Sequence, residues 1–137
     1  DVARKALILA RMLGYKGELA DVKVESLVPA SSRALSRDAF VATLETLDDE
    51  WRARQAAATE ANAVLRYVLE VTARKVTVGL RAVDLSHPLA GLRGTDNQVV
   101  FTTPRYKENP LAITGPGAGP AVTAAGVLND VLKLAGA

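Results

Sequence analysis

VLRYVLEV (64–71), TARK (72–75) and VTVGLRAV (76–83) form two apolar runs with a period of two on either side of a short polar link. That alternation turns one face of an extended chain toward a core and the other toward solvent. A link this short returns the chain antiparallel to itself, so residues 64–83 are expected to form a β-hairpin. Upstream the period lengthens. Phe40, Leu44, Leu47 and Trp51 fall on one stripe of a helix expected over roughly 37–62, with PASSRALSR (29–37) before it as a loop. ELADVKVESLVP (18–29) carries at least one further strand. DVARKALILARMLG (1–14) has Val2, Ala6, Leu9, Ala10 and Leu13 at the spacing of a buried helical face, with Asp1 placed to cap it and Gly14 to end it. Downstream, QVVFTT (98–103) and PLAITG (110–115) read as a second strand pair, and TAAGVLNDVLKLA (123–135) as a closing helix. The expected class is α+β, with a mixed or antiparallel sheet and helices packed on one face.

Composition narrows the function. The chain has 137 residues, 49% hydrophobic and 23% charged, which fits one globular domain and leaves no case for disorder. A net charge of +2 from scattered basic residues gives no nucleic-acid surface. Without cysteine there is no disulfide, thiolate ligand or thiol nucleophile, and one histidine, His87, makes a zinc site or a catalytic triad improbable; no metal is expected. No apolar run approaches the ~20 residues of a membrane span. The first residue is Asp1 and not Met, which reads as a processed protein or a piece of a longer one.

Two constellations can carry chemistry. Asp1 and Lys5 are four positions apart, so on a helix they stand on one face. By itself that spacing is an ordinary ion pair contributing ~0.3–0.5 kcal/mol. GPGAG (115–119) places three glycines before a helix, letting backbone approach a ligand and turning free N–H groups toward it. Alone, that pattern is more often a tight strand-to-helix turn. It is not a dinucleotide fingerprint either, since no acidic residue ~20 positions on and no following strand accompany it.

Their order and surroundings resemble the homoserine dehydrogenase family. The matching stretches are DVARKALILAR, ELADVKVESLVP, NAVLRYV, SHPLAGLRGTDNQVVF, TTPRYKENPLAITG and GPGAGPAVTAAGVLNDVL, which span nearly the whole chain. The resemblance implies an oxidoreductase that reversibly reduces L-aspartate 4-semialdehyde to L-homoserine with NADP or NAD as cofactor, in threonine and methionine biosynthesis. It implies that Lys5 donates the proton to the carbonyl oxygen, that Asp1 binds the substrate, and that Gly119 and Thr123 touch the cofactor. It also implies a substrate-binding and dimerisation domain over 1–114, and a glycine-rich turn and helix (115–137) that pack on a nucleotide-binding domain. The expected partners are the small-molecule substrate and a second copy in a homodimer, with no nucleic acid or membrane. The expected location is the cytoplasm, or the plastid in a plant. The family's βαβ domain, and an acidic and a lysine residue of its site, precede DVARK and have no counterpart here. The isolated chain is therefore expected to be inactive. The competing reading is a non-catalytic dimerisation or ligand-sensing module that retains the fold.

Other residues have plainer readings. His87 before Pro88 reads as a surface or capping histidine, and Asp96 and Asn97 as a turn before a strand. Asp48, Asp49 and Glu50 diverge around a helix and read as a solvated face. Arg105 and Tyr106 lie in a loop available to a dimer interface, and partial burial of Lys5 would favour proton transfer.

Overall fold

A computed structural model describes residues 1–136. The fold is α+β, in two compact units, Asp1–Asp84 and Leu85–Ala137. This division precedes the 114/115 boundary, which rested on function and not on compactness.

The first unit contains α1 (Val2–Met12), β1 (Lys23–Val24), α2 (Arg37–Ala42), α3 (Asp48–Glu60), β2 (Ala63–Val71) and β3 (Val76–Asp84). The hairpin is present in full register, from Val71 opposite Val76 to Ala63 opposite Asp84. Its turn uses no glycine. The Thr72 hydroxyl accepts the Lys75 N–H at 2.9 Å, and the Thr72 N–H donates to the Lys75 carbonyl at 2.9 Å. β1 adds to the other side of β3 in parallel, giving the order β1-β3-β2 in a mixed sheet. The strand in 18–29 is thus only two residues long. Side chains reinforce it: the Tyr67 hydroxyl donates to the Glu25 carbonyl at 2.7 Å, and Arg81 bridges Glu25 and Glu70. Gly79 makes room for that bridge, because a Cβ there would come within 2.6 Å of the Glu25 carboxylate.

The core lies between α1 and the sheet, where Ala6, Leu7 and Ala10 meet Val22, Val76 and Val78. Ala6 and Ala10 are 0% exposed, so the helix backbone itself lies close to the strands. The buried stripe therefore runs Ala3, Ala6, Leu7, Ala10, not through Val2 and Leu13, which are exposed. Ala6 and Ala10 are buried as their spacing implies, while Ala3 and Leu7 take the places expected of Val2 and Leu13.

The helix expected over 37–62 is interrupted. Helix α2 ends at Ala42, a 3-10 turn spans Leu44–Leu47, and α3 begins at Asp48. The Thr43 hydroxyl donates to the Phe40 carbonyl at 2.7 Å and the Thr46 hydroxyl to the Thr43 carbonyl at 2.6 Å, a local bonding that competes with the regular helix ladder. Asn62, at φ 54°, ends the run in the left-handed region that asparagine tolerates.

The second unit holds β4 (Asp96–Phe101), β5 (Leu111–Pro116) and α4 (Pro120–Leu134). β4 and β5 form their own antiparallel pair, so the strands make two sheets instead of one. Asp96 and Asn97 are already paired, with Pro116 and Gly115, and are not a turn. Every described side chain of α4 is exposed, including Val122, Val127, Val131 and, at 91%, Leu134. A contiguous apolar helix face left in water favours association. Sedimentation of the isolated chain should therefore show a size that grows with concentration; a monomer at every concentration would refute this.

Candidate functional site

Helix α1 is held to the sheet by Ala6, Leu7 and Ala10, and this fixes what its other side presents. Asp1, Lys5, Ile8 and Met12 recur about once per turn on that outer side. The Lys5 Nζ lies 3.0 Å from Asp1 Oδ2, with the side chains 62% and 76% exposed respectively. Partial burial of Lys5 is thus not found within this chain. Asp1 stands at the N-cap position, but its carboxylate makes no cap hydrogen bond. The Arg4 and Lys5 N–H groups are instead satisfied by the Asp1 carbonyl, at 3.0 and 3.2 Å. The carboxylate is free to face Lys5 and solvent, at the helix end whose dipole favours negative charge. Together they offer an anion and a cation side by side, enough to grip a small ligand carrying both an amine and a polarised oxygen. Past them along the helix, Ile8 and Met12 are exposed and supply an apolar flank.

The glycine-rich turn belongs to the second unit. Gly119 is the N-cap of α4 at φ 141° and ψ 151°, a conformation that side chains exclude, and Pro120 opens the helix. The Thr123 N–H donates to the Gly119 carbonyl at 3.0 Å, so these two candidate residues lie one turn apart at the start of α4. A Cβ at Gly117 would collide with the Asn97 amide, while Gly115 has open space. The sequence reading missed this fit between Asn97 and Gly117, because only the strand register brings the two together.

The remaining candidates have structural roles. His87 caps a 3-10 turn: its Nδ1 accepts the Leu89 N–H at 3.1 Å. Asp48 and Asp49 pair with Arg52, and Glu50 with Arg54, whose guanidinium lies 5.1 Å from the Trp51 ring centroid. Among the described residues no acidic, histidine or cysteine group is arranged to hold a metal ion. A hollow of about 460 Å³ between α3 and β2 is lined by Trp51, Arg52, Gln55, Thr59 and Arg66. It includes neither Asp1 nor Lys5, and Arg52 is already committed to Asp48 and Asp49. Tyr106 is exposed in the loop after β4. No helix among the described residues is long and apolar enough to cross a membrane.

Comparison with known proteins gives this geometry a context. The family model for homoserine dehydrogenase matches residues 1–132. A chloroplastic bifunctional aspartokinase/homoserine dehydrogenase 2 of Zea mays is 47% identical over 98% of this chain and 15% of its own length. A homoserine dehydrogenase of Paracoccidioides brasiliensis is 44% identical over 98% of this chain and 37% of its own. The crystal structure of a Candida auris protein of unknown function superposes with a TM-score of 0.85 at 45% identity, covering 98% of this chain and 38% of that one. The chain therefore spans well under half the length of each of these relatives.

Because the Asp1–Lys5 pair is largely exposed, it contributes little to folding. Substituting Lys5→Ala should change the unfolding free energy by no more than about 0.5 kcal/mol in a urea titration. A loss of several kcal/mol would mean that Lys5 is a structural residue.

Proposed function

The chain belongs to the homoserine dehydrogenase family, and from that premise we propose that it forms the substrate-binding and proton-transfer part of an NAD(P)-dependent enzyme interconverting L-aspartate 4-semialdehyde and L-homoserine. The observation that carries this reading is the Asp1–Lys5 pair, 3.0 Å apart on the outward side of a helix whose other side is fixed to the sheet. Residues 1–114 serve as the substrate and dimerisation domain, and 115–137 close against a nucleotide-binding domain.

The chemistry the cofactor supplies when bound is hydride transfer to the aldehyde carbon. Reduction leaves negative charge on the substrate oxygen, and the Lys5 ammonium gives its proton there. In the oxidation direction the neutral Lys5 amine takes the alcohol proton back. One Asp1 carboxylate oxygen orients the lysine, and the carboxylate holds the substrate ammonium. Gly119 and Thr123 meet the cofactor at the start of α4. The backbone there suits close approach: Gly119 has a φ open only to glycine, and the first N–H groups of the helix favour an anionic or carbonyl oxygen. The cofactor of this reading is NADP or NAD.

The homodimer reading draws support from the β4–β5 pair, where Val99, Phe101, Leu111 and Ile113 share one face and are all exposed. The proposed location is the cytoplasm, or the plastid in a plant; the Zea mays relative is named as chloroplastic.

The first test is turnover of the full-length parent with and without Lys5→Ala, in both directions. Several orders of magnitude should be lost while cofactor binding persists; near-normal turnover would reduce Lys5 to an ion pair and remove the mechanism. A second expectation concerns the 137-residue chain alone. With the Lys5 and Asp1 side chains 62% and 76% exposed, the described residues leave this pair open to water. It should show no aspartate semialdehyde reduction with NADPH even at high protein concentration, and clear activity would overturn this.

A further inference from the structure

Helix α1 carries three cations, and they are not equivalent. Lys5 faces Asp1 at 3.0 Å, and Arg11 faces Glu18 at 2.8 Å. Arg4 is exposed, and among the described residues its guanidinium has neither an ion pair nor a hydrogen bond. Its place is set by the same packing that sets the charged pair. With Ala6, Leu7 and Ala10 against the sheet, Arg4 stands about 60° round the helix from Asp1, one turn along and open to water. Side chains three apart on a helix have Cβ atoms about 5–6 Å from each other, so a guanidinium here reaches a small ligand held by Asp1. The Asp1–Lys5 pair carries no net charge, and both members have a task in the proposed reaction. Asp1 holds an ammonium, and Lys5 meets the reacting oxygen. An α-amino acid brings a third polar group, its carboxylate, and neither residue is left for it. On the first turn of α1, only Arg4 is a cation without a counter-ion among the described residues. A guanidinium fork matches a carboxylate with two parallel N–H donors, which an ammonium cannot do.

We propose that Arg4 binds the α-carboxylate of the substrate, so that one turn of α1 reads all three polar groups of a four-carbon amino acid: the ammonium by Asp1, the carboxylate by Arg4 and the reacting oxygen by Lys5. This rests on the dehydrogenase reading above and adds to it a specificity residue outside the Asp1–Lys5 pair and the glycine-rich turn. The carboxylate takes no part in the bond changes, so Arg4 holds it equally before and during the reaction. Its effect therefore belongs in substrate affinity and not in the chemical step.

The experiment compares the full-length parent with its Arg4→Ala and Arg4→Lys variants. It measures KM for homoserine, KM for cofactor, kcat and the inhibition constant of L-homoserine amide, which keeps the ammonium and the hydroxyl but not the carboxylate charge. Arg4→Ala should raise the homoserine KM by about tenfold or more, with the cofactor KM and the saturated kcat nearly unchanged. The inhibition constant of the amide should be almost indifferent to the same substitution, because the group that Arg4 holds is missing from it. Arg4→Lys keeps the charge without the fork and should fall between the parent and Arg4→Ala. Arg4 is exposed and unpaired, so the melting temperature should stay within a few degrees of the parent's. A homoserine KM indifferent to Arg4, or an amide constant that rises as much as the homoserine KM, overturns the role of Arg4 alone. A rise confined to the cofactor KM does the same and would set Arg4 against the dinucleotide. If the amide binds the parent too weakly to compete, the lysine variant decides: a partly restored homoserine KM supports the role, and one no better than that of Arg4→Ala overturns it. A parent without dehydrogenase activity overturns the functional reading itself, and this role with it.

Discussion

The contact between two alanines and two valines governs the first unit. Ala6 and Ala10 lie fully buried against Val76 and Val78, and no larger residue at either alanine would let α1 come so near the sheet. The close approach fixes the rotation of the helix about its own axis as well as its distance. Once that face is committed, the opposite face is determined, and it is the one bearing Asp1 and Lys5. The aim of the charged pair is thus set by apolar packing on the far side of the helix, since the pair itself is too exposed to hold anything in place.

How much of this the sequence discloses depends on how local each feature is. The hairpin was legible because alternation and link length are both local, and its register follows from them. So was the Asp1–Lys5 pair, since four residues of helix settle it. The buried face of α1 was read in part: Ala6 and Ala10 lie on it as expected, but Val2 and Leu13 are exposed, and Ala3 and Leu7, which the spacing did not single out, complete the contact. The break after Ala42 comes from two threonine hydroxyls turning back on the main chain, a choice that apolar periodicity does not record. Strand partners are not local at all. Nothing in QVVFTT or PLAITG says that those strands pair only with one another, and Asn97 looks like a turn residue until β5 lies beside it.

The site shows the same division. Residue types and spacing give the chemistry: a carboxylate and an ammonium together, and glycines before a helix. They do not give the environment, because burial of Lys5 is a property of whatever stands opposite α1. Family likeness, carried by a match over residues 1–132, is the ground on which roles are proposed for these residues. Gly119 shows how a motif letter can have a physical origin that the pattern does not print, a φ of 141° that only glycine adopts readily.

The position of α1 in the chain has a consequence for the order of assembly. Its 11 residues are too few to stay helical in water unaided, and the valines that hold it come from β3, far along the chain. The β2–β3 hairpin closes over a short loop and can form early, whereas docking α1 requires a long loop to close. Helix α1 is therefore secured only after the hairpin that follows it in the chain has formed. Until the hairpin exists, Asp1 and Lys5 are two charges on a fluctuating peptide, and the pair acquires a fixed direction only when α1 docks.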